Sequence, residues 1–257
     1  ILIAPVIYLF SDWQLLWEVS AYFALGIYIA AYFIIPFDPE QLQTQFNENI
    51  FLAVLRTVKR WSIVVVGLTF ACHSLVFLGN MQFLPYYFNE IKGYTETFAY
   101  IATALYCLIS FAGHLFCGFL LNQGHKPSKL ISIAFIVAGV LVAFFFGLFD
   151  SLVTFDRLPT MKLLAIMVVA FFMGLTPPTI FYLVSYISPP SRITPLNYGY
   201  MVQIQAIGIF AGSFLYGWLV DMTGEWSIIG FLSIFISILG IIGGIISSQI
   251  ILKNTQL

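Results

Sequence analysis

The sequence predicts an all-α membrane protein, a polytopic helical bundle, on three observations. Hydrophobic residues make up 61% of the 257-residue chain and charged residues only 8%, far from the roughly half-apolar, quarter-charged mean of water-soluble domains. Apolar runs recur that are about twenty residues long, enough to cross a bilayer core as helices. These runs lack period-two alternation, which selects spanning helices over the strands of a closed barrel, the other structure that satisfies every backbone polar group in hydrocarbon.

Taken in chain order, Ile1 to Phe10 is apolar but too short to cross alone, and reads as the remnant of a span. The chain opens at Ile1 with no Met and no basic leader, so its beginning is expected to be missing. Seven full-length spans follow, at approximately 14 to 35, 61 to 84, 97 to 121, 130 to 149, 163 to 187, 197 to 220 and 227 to 251. The connection Pro36 to Arg60 is the longest and has room for an interfacial helix. The others are short enough to make sequential spans antiparallel neighbours.

Lys and Arg, which stay on the cytoplasmic side of short loops, set the orientation. One alternate set of connections holds Arg56, Lys59, Arg60, Lys126, Lys129, Arg192 and Lys253, and the opposite set holds only Lys92, Arg157 and Lys162. The first set is expected inside, which makes the C-terminus cytoplasmic in a multi-pass protein of the plasma (inner) membrane. From residue 62 onward the expected spans carry no Asp, Glu, Lys or Arg in their interiors, where each would cost about 2.5–3.5 kcal/mol on insertion scales.

Uncharged polar residues do occur inside the spans, and they form stripes. At about 100° per residue, Thr69, His73, Asn80 and Tyr87 fall within about 40° of one another on the second span. Thr103, Tyr106, Cys107, Ser110, His114 and Cys117 share a face of the third, Thr179, Tyr182 and Tyr186 one of the fifth, and Asn197, Gln205, Gly208 and Gly212 one of the sixth. Two readings stand side by side: hydrogen bonding and close packing between helices, or a shared wet cavity. Under the second, the candidate substrate contacts are Thr69, His73, Asn80, Tyr87, His114, Thr179, Tyr182 and Gln205. His73 is the titratable group on its stripe, and imidazole changes charge near neutral pH; a buried structural histidine is the other reading.

Two features concern the backbone. Gly208 with Gly212 forms a GxxxG pair, as does Gly240 with Gly244, both expected to be packing surfaces. Pro177 and Pro178 lie mid-span and lack amide donors, so the carbonyls of Met173 and Gly174 lose their helical partners. The resulting break is either a packing kink or a mechanical, solute-facing element.

Other classes of function find little support. A net charge of −1 offers nothing to nucleic acid. Cys72, Cys107 and Cys117 sit inside apolar runs without metal-ligand spacing, so neither metal nor cofactor is expected. HExxH, GxSxG and paired embedded carboxylates are absent, which argues against an intramembrane enzyme. The final span has no lysine before Lys253, and DRY and NPxxY signals are absent, which argues against a seven-helix receptor or retinal protein.

"GFLLNQGHK", Gly118 to Lys126, follows the third span; "GWLVDMTGEW", Gly217 to Trp226, and "APVIYLFSDWQLLW", Ala4 to Trp17, are loosely alike; "FLPYYFNEIKGYT" closes the second span. With six spans after one long basic loop, these segments resemble the major facilitator superfamily of secondary transporters. The resemblance implies that residues 1–35 end a first helical bundle, 36–60 form the cytoplasmic central loop, and 61–257 form the second six-helix bundle. The family's loop GxLxDRxGR is matched at Gly118, Leu120 and Lys126, whereas Asn122 replaces its acid, Gln123 its base and His125 its second glycine. That loop implies a conformational role for Gly118, Asn122 and Lys126. It further implies alternating access around a midplane site for a small organic solute, with membrane lipid as surroundings and a proton or ion as coupling partner. A seven-helix membrane receptor or a truncated, inactive transporter fragment is the alternative.

Overall fold

The computed structural model describes residues 13–34, 50–150, 158–188 and 194–255, all of them helix or short connection. The remnant Ile1 to Phe10 and residues 36–49 of the long connection lie outside the described residues. The helices are α1 (Trp13–Ile34), α2 (Ile50–Val58), α3 (Trp61–Tyr86), α4 (Glu96–Asn122), α5 (Pro127–Phe145), α6 (Leu158–Met173), α7 (Thr176–Ile187), α8 (Thr194–Thr223) and α9 (Ser227–Thr255). Seven candidate membrane spans result among the described residues, because α6 and α7 together make one, Pro159–Ile187.

Close glycine contacts fix the helix directions. A side chain at Gly67 would meet Ile204, at Gly208 the backbone of Ala71, at Gly212 that of Leu75, and at Gly79 the ring of Tyr216. Both numbers rise together in steps of four, so α3 and α8 are parallel, each bulky residue seated opposite a glycine or alanine. Between α5 and α9 the numbers run oppositely: Ile131 against Gly244, Phe135 against Gly240, Gly139 against Ser237 and Ala143 against Gly230. These helices are antiparallel. Both results are what a chain crossing alternately through short connections must produce. They also show how bundles cohere where lipid is as apolar as leucine: small residues let backbones approach, and dispersion does the rest.

A ring cluster closes one end of the bundle. Tyr87 packs on Phe145, Phe146 and Trp226, with centroids 5.1, 5.0 and 5.1 Å away. It begins a π-turn, Tyr87–Ile91, that prolongs α3 so that the span reaches Ile91. Pro85, two residues earlier, withholds an amide from Met81. At the opposite end, α4 stops at a left-handed glycine that the sequence reading passed over. Gly124 has φ +80°, and the amides of Gly124 and His125 donate back to Leu121 and Leu120 at 3.0 and 3.1 Å, the paired cap that favours glycine. Asn122 and Lys126 flank this turn, both exposed, and neither forms an ion pair among the described residues. Gly118 is likewise exposed, with open space where a side chain would go.

The fifth span starts earlier than expected. Its first helix begins at Leu158, which takes Lys162 inside the span Pro159–Ile187. Lys162 is 8% exposed and donates to Asp150 at 2.6 Å. An apolar-run criterion stops at the lysine, whereas a paired ammonium can remain near the helix end. The span Trp17–Ile34 of α1 buries none of its residues against the other helices.

Candidate functional site

The polar stripe of α3 points into the bundle. Thr69, His73, Asn80 and Tyr87 are all buried. Thr69 donates to the Val65 carbonyl at 2.8 Å and faces Gly243 of α9. Asn80 Oδ1 accepts from the Tyr216 hydroxyl at 3.1 Å. His73 lies 5.5 Å from Phe77 in a parallel stack, 5.7 Å from Phe70, and its Nδ1 has no hydrogen-bond partner among the described residues. Phe77 stacks in turn on Tyr106 at 4.9 Å.

His73 thus belongs to a column of rings. We expect His73→Phe, which keeps the column, to leave thermal stability in mixed micelles nearly unchanged. His73→Ala should lower stability by about 2–4 kcal/mol, as deletion of a buried ring does.

A second set of polar groups, which the sequence reading largely missed, lies along the seam between α3 and α8. Gln205 Nε2 donates to Ser74 Oγ at 3.0 Å. Two turns further on, the Ser213 hydroxyl donates to Gln82 Oε1. The spacing is eight residues on both helices, as their parallel register requires. Ser74 is buried, Gln205 and Ser213 are half-buried and Gln82 is exposed, so the seam opens outward from the packed core. The glycine contacts decide this: they hold the two backbones so close that side chains one step round each helix meet at the groove edge. A sequence signal existed, since Ser74/Gln82 and Gln205/Ser213 each recur at i, i+8 on one helix face.

α7 borders the same seam. The Tyr198 hydroxyl of α8 donates to the Phe181 carbonyl at 3.2 Å, and the two rings stack at 5.7 Å. Phe181 also packs edge-on against Phe70 of α3, 6.0 Å away. Tyr182 is half-buried and pairs with Tyr186 at 4.7 Å. The helix break sits at Gly174 and Leu175, with Pro177 and Pro178 in the first turn of α7, where a missing amide does least harm. Thr179 and Cys117 both donate to the Leu175 carbonyl, at 2.7 and 3.2 Å, which ties α4 to the break. A side chain at Gly174 or Gly113 would collide with the facing backbone, so α4 crosses α6–α7 at this point. His114, half-buried on α4, lies 2.7 Å from the Ser110 carbonyl through Nδ1. A carbonyl can only accept, so that nitrogen is the donor.

Of the eight candidate contacts, then, Gln205 lies on the seam, and Tyr182 is half-buried on α7 next to Phe181, which touches α3 and α8. Thr69, His73, Asn80, Tyr87 and Thr179 are packed inside, and His114 stands half-buried on α4. The packing glycines Gly208 and Gly212 lie directly behind the seam. No group of three or more metal-ligating side chains exists among the described residues.

A family model described as Major Facilitator Superfamily matches residues 1–212. The chain belongs to the Major Facilitator Superfamily. No curated protein matches it. Superfamily membership makes the chain a membrane transporter in general terms, and its seven apolar helices fit a multi-pass bundle in lipid. In a superfamily chain the seam acquires meaning, because amide and hydroxyl groups at membrane depth need protein or water for company.

Proposed function

We propose that this superfamily chain is a secondary active transporter that moves a small organic solute by alternating access, and that the α3–α7–α8 seam is the polar wall of its path. The observation that carries this reading is the paired amides and hydroxyls Gln205–Ser74 and Gln82–Ser213, held at membrane depth yet open to one side. Amides and hydroxyls both donate and accept, which suits neutral, zwitterionic or anionic solutes; embedded carboxylates for a cationic one are absent from the seam. Tyr182 and Gln205 are the solute contacts on this reading, and the break at Gly174 and Leu175 gives the fifth span a joint beside them. Gly118, Asn122 and Lys126 keep the conformational role that the family loop implies. The distribution of basic residues over the connections supports a cytoplasmic C-terminus on this reading.

Aqueous access tests the proposal. In a chain with Cys72, Cys107 and Cys117 replaced by alanine, Gln82→Cys and Ser213→Cys are expected to react with a membrane-impermeant sulfonated maleimide in proteoliposomes. Phe214→Cys and Leu115→Cys are expected to stay unmodified. Phe214 and Leu115 are 57% and 64% exposed, so their silence would report lipid rather than burial. If all four positions behave alike, the seam is not a wet path and the assignment fails.

A further inference from the structure

A separate cavity of about 470 Å³ opens at the end of the bundle away from the Gly124 hairpin, walled by the π-turn, the end of α5 and the start of α6. Its floor is the ring cluster, with Tyr87, Phe88 and Phe145 on its lining, and its charged groups among the described residues are Lys92, Lys162 and Asp150. We propose that this cavity is a binding site for a small organic monoanion with an aromatic body, the carboxylate meeting Lys92 and Lys162 and the ring resting on Tyr87, Phe88 and Phe145.

Three observations lead there. Charge comes first: two ammonium groups face one carboxylate, and Asp150 is already committed to Lys162 at 2.6 Å. Lys92 Nζ instead lies 5.3 Å from the centroid of the Tyr87 ring, a cation–π contact that neutralises nothing. Among the described residues, the cavity therefore carries one unmatched positive charge. Burial, and next the charge of Lys162, hold the Lys92 ammonium below the ordinary lysine range, with Asp150 pulling the other way; a bound anion would offset the repulsion between the two ammonium groups.

Size comes second. The volume lies within the range of about 300–1,000 Å³ usual for small-molecule pockets, and rings with a few converging polar groups are the usual lining. Exclusion comes third. A cation would add to two ammonium groups, a neutral solute would leave the charge unmatched, and a dianion would bring its second charge against Asp150. None of Ser74, Gln82, Gln205 and Ser213 lines this cavity, so the site stands whether or not the α3–α8 seam is a transport path.

The test is equilibrium binding to the full chain in nanodiscs of zwitterionic phosphatidylcholine, with no gradient, so that transport does not enter. Titration calorimetry would compare phenylacetate with phenylacetamide and phenethylamine, which share its ring and differ in charge. Phenylacetate is expected to bind, and the amide and amine to be weaker by about tenfold or more, as loss of a charged hydrogen bond implies. Lys92→Gln should weaken the acid by a similar factor, Lys92→Arg should retain it, and Lys129→Gln, at the other end of the bundle, should change nothing. Absence of phenylacetate binding, equal binding of acid and amide, or indifference to Lys92→Gln would each overturn the proposal. The comparison of acid with amide needs no variant, so a misfolded substitution cannot hide the answer.

Discussion

Gly208→Ala is expected to destabilise the bundle by about 1–3 kcal/mol, the usual cost of forcing atoms into a filled site, while Gly199→Ala on the same helix stabilises it by up to about 1 kcal/mol. The second sign is the ordinary one, since alanine is the better helix former by about that amount. At Gly199 nothing lies within 4 Å of where the new carbon would stand. At Gly208 the carbon would enter the backbone of Ala71, which cannot swing aside as a flexible side chain could. To admit it, α3 and α8 must part. That movement would also unseat Ile204 from Gly67 and Tyr216 from Gly79, and stretch the Gln205–Ser74 and Gln82–Ser213 bonds. Unfolding by SDS in mixed micelles, followed by far-ultraviolet circular dichroism, would report both signs. Equal effects at the two glycines would mean that the α3–α8 contact is looser than described.

Asp150→Asn is expected to cost about 2 kcal/mol, and Asp150→Asn combined with Lys162→Met to recover most of it. Removing one member of a buried ion pair typically costs about 3–5 kcal/mol because the survivor is left charged and dry. Here the Asp150 side chain is 44% exposed while that of Lys162 is 10% exposed, so water takes up part of the loss and the lower figure applies. Replacing both partners removes the stranded ammonium, and methionine fills the lysine's volume with carbon. The same SDS titration on the two single variants and the double variant closes a double-mutant cycle. A double variant no more stable than Asp150→Asn alone would show that the ion pair is not what holds the start of α6 to the end of α5.

The number of crossings, their order and their alternating direction were legible before any coordinates, because each depends only on apolar length and on loops too short to do otherwise. The Gly208–Gly212 and Gly240–Gly244 pairs were legible as packing surfaces, and so was the break before Pro177. Gly124 was not, since the loop pattern drew attention to Gly118, and Lys162 was not, since an apolar run ends at the first charge. The seam was half visible. Gln205 stood out, but Ser74, Gln82 and Ser213 did not, because two residues eight apart make a weak stripe beside the fuller one of Thr69, His73, Asn80 and Tyr87.

Sequence alone settles which residues share a face of one helix, since 3.6 residues per turn fixes their angles to one another. Where that face points is another matter. In water an amphipathic helix turns its apolar side inward, and the stripe gives its rotation; these helices are apolar nearly all round, so the rule has nothing to act on. Rotation was decided between helices, by glycines meeting Ala71, Leu75, Phe135 and Ile131 at close range. That contact turned His73 and Asn80 into the core and left Gln82, Gln205 and Ser213 at its open edge.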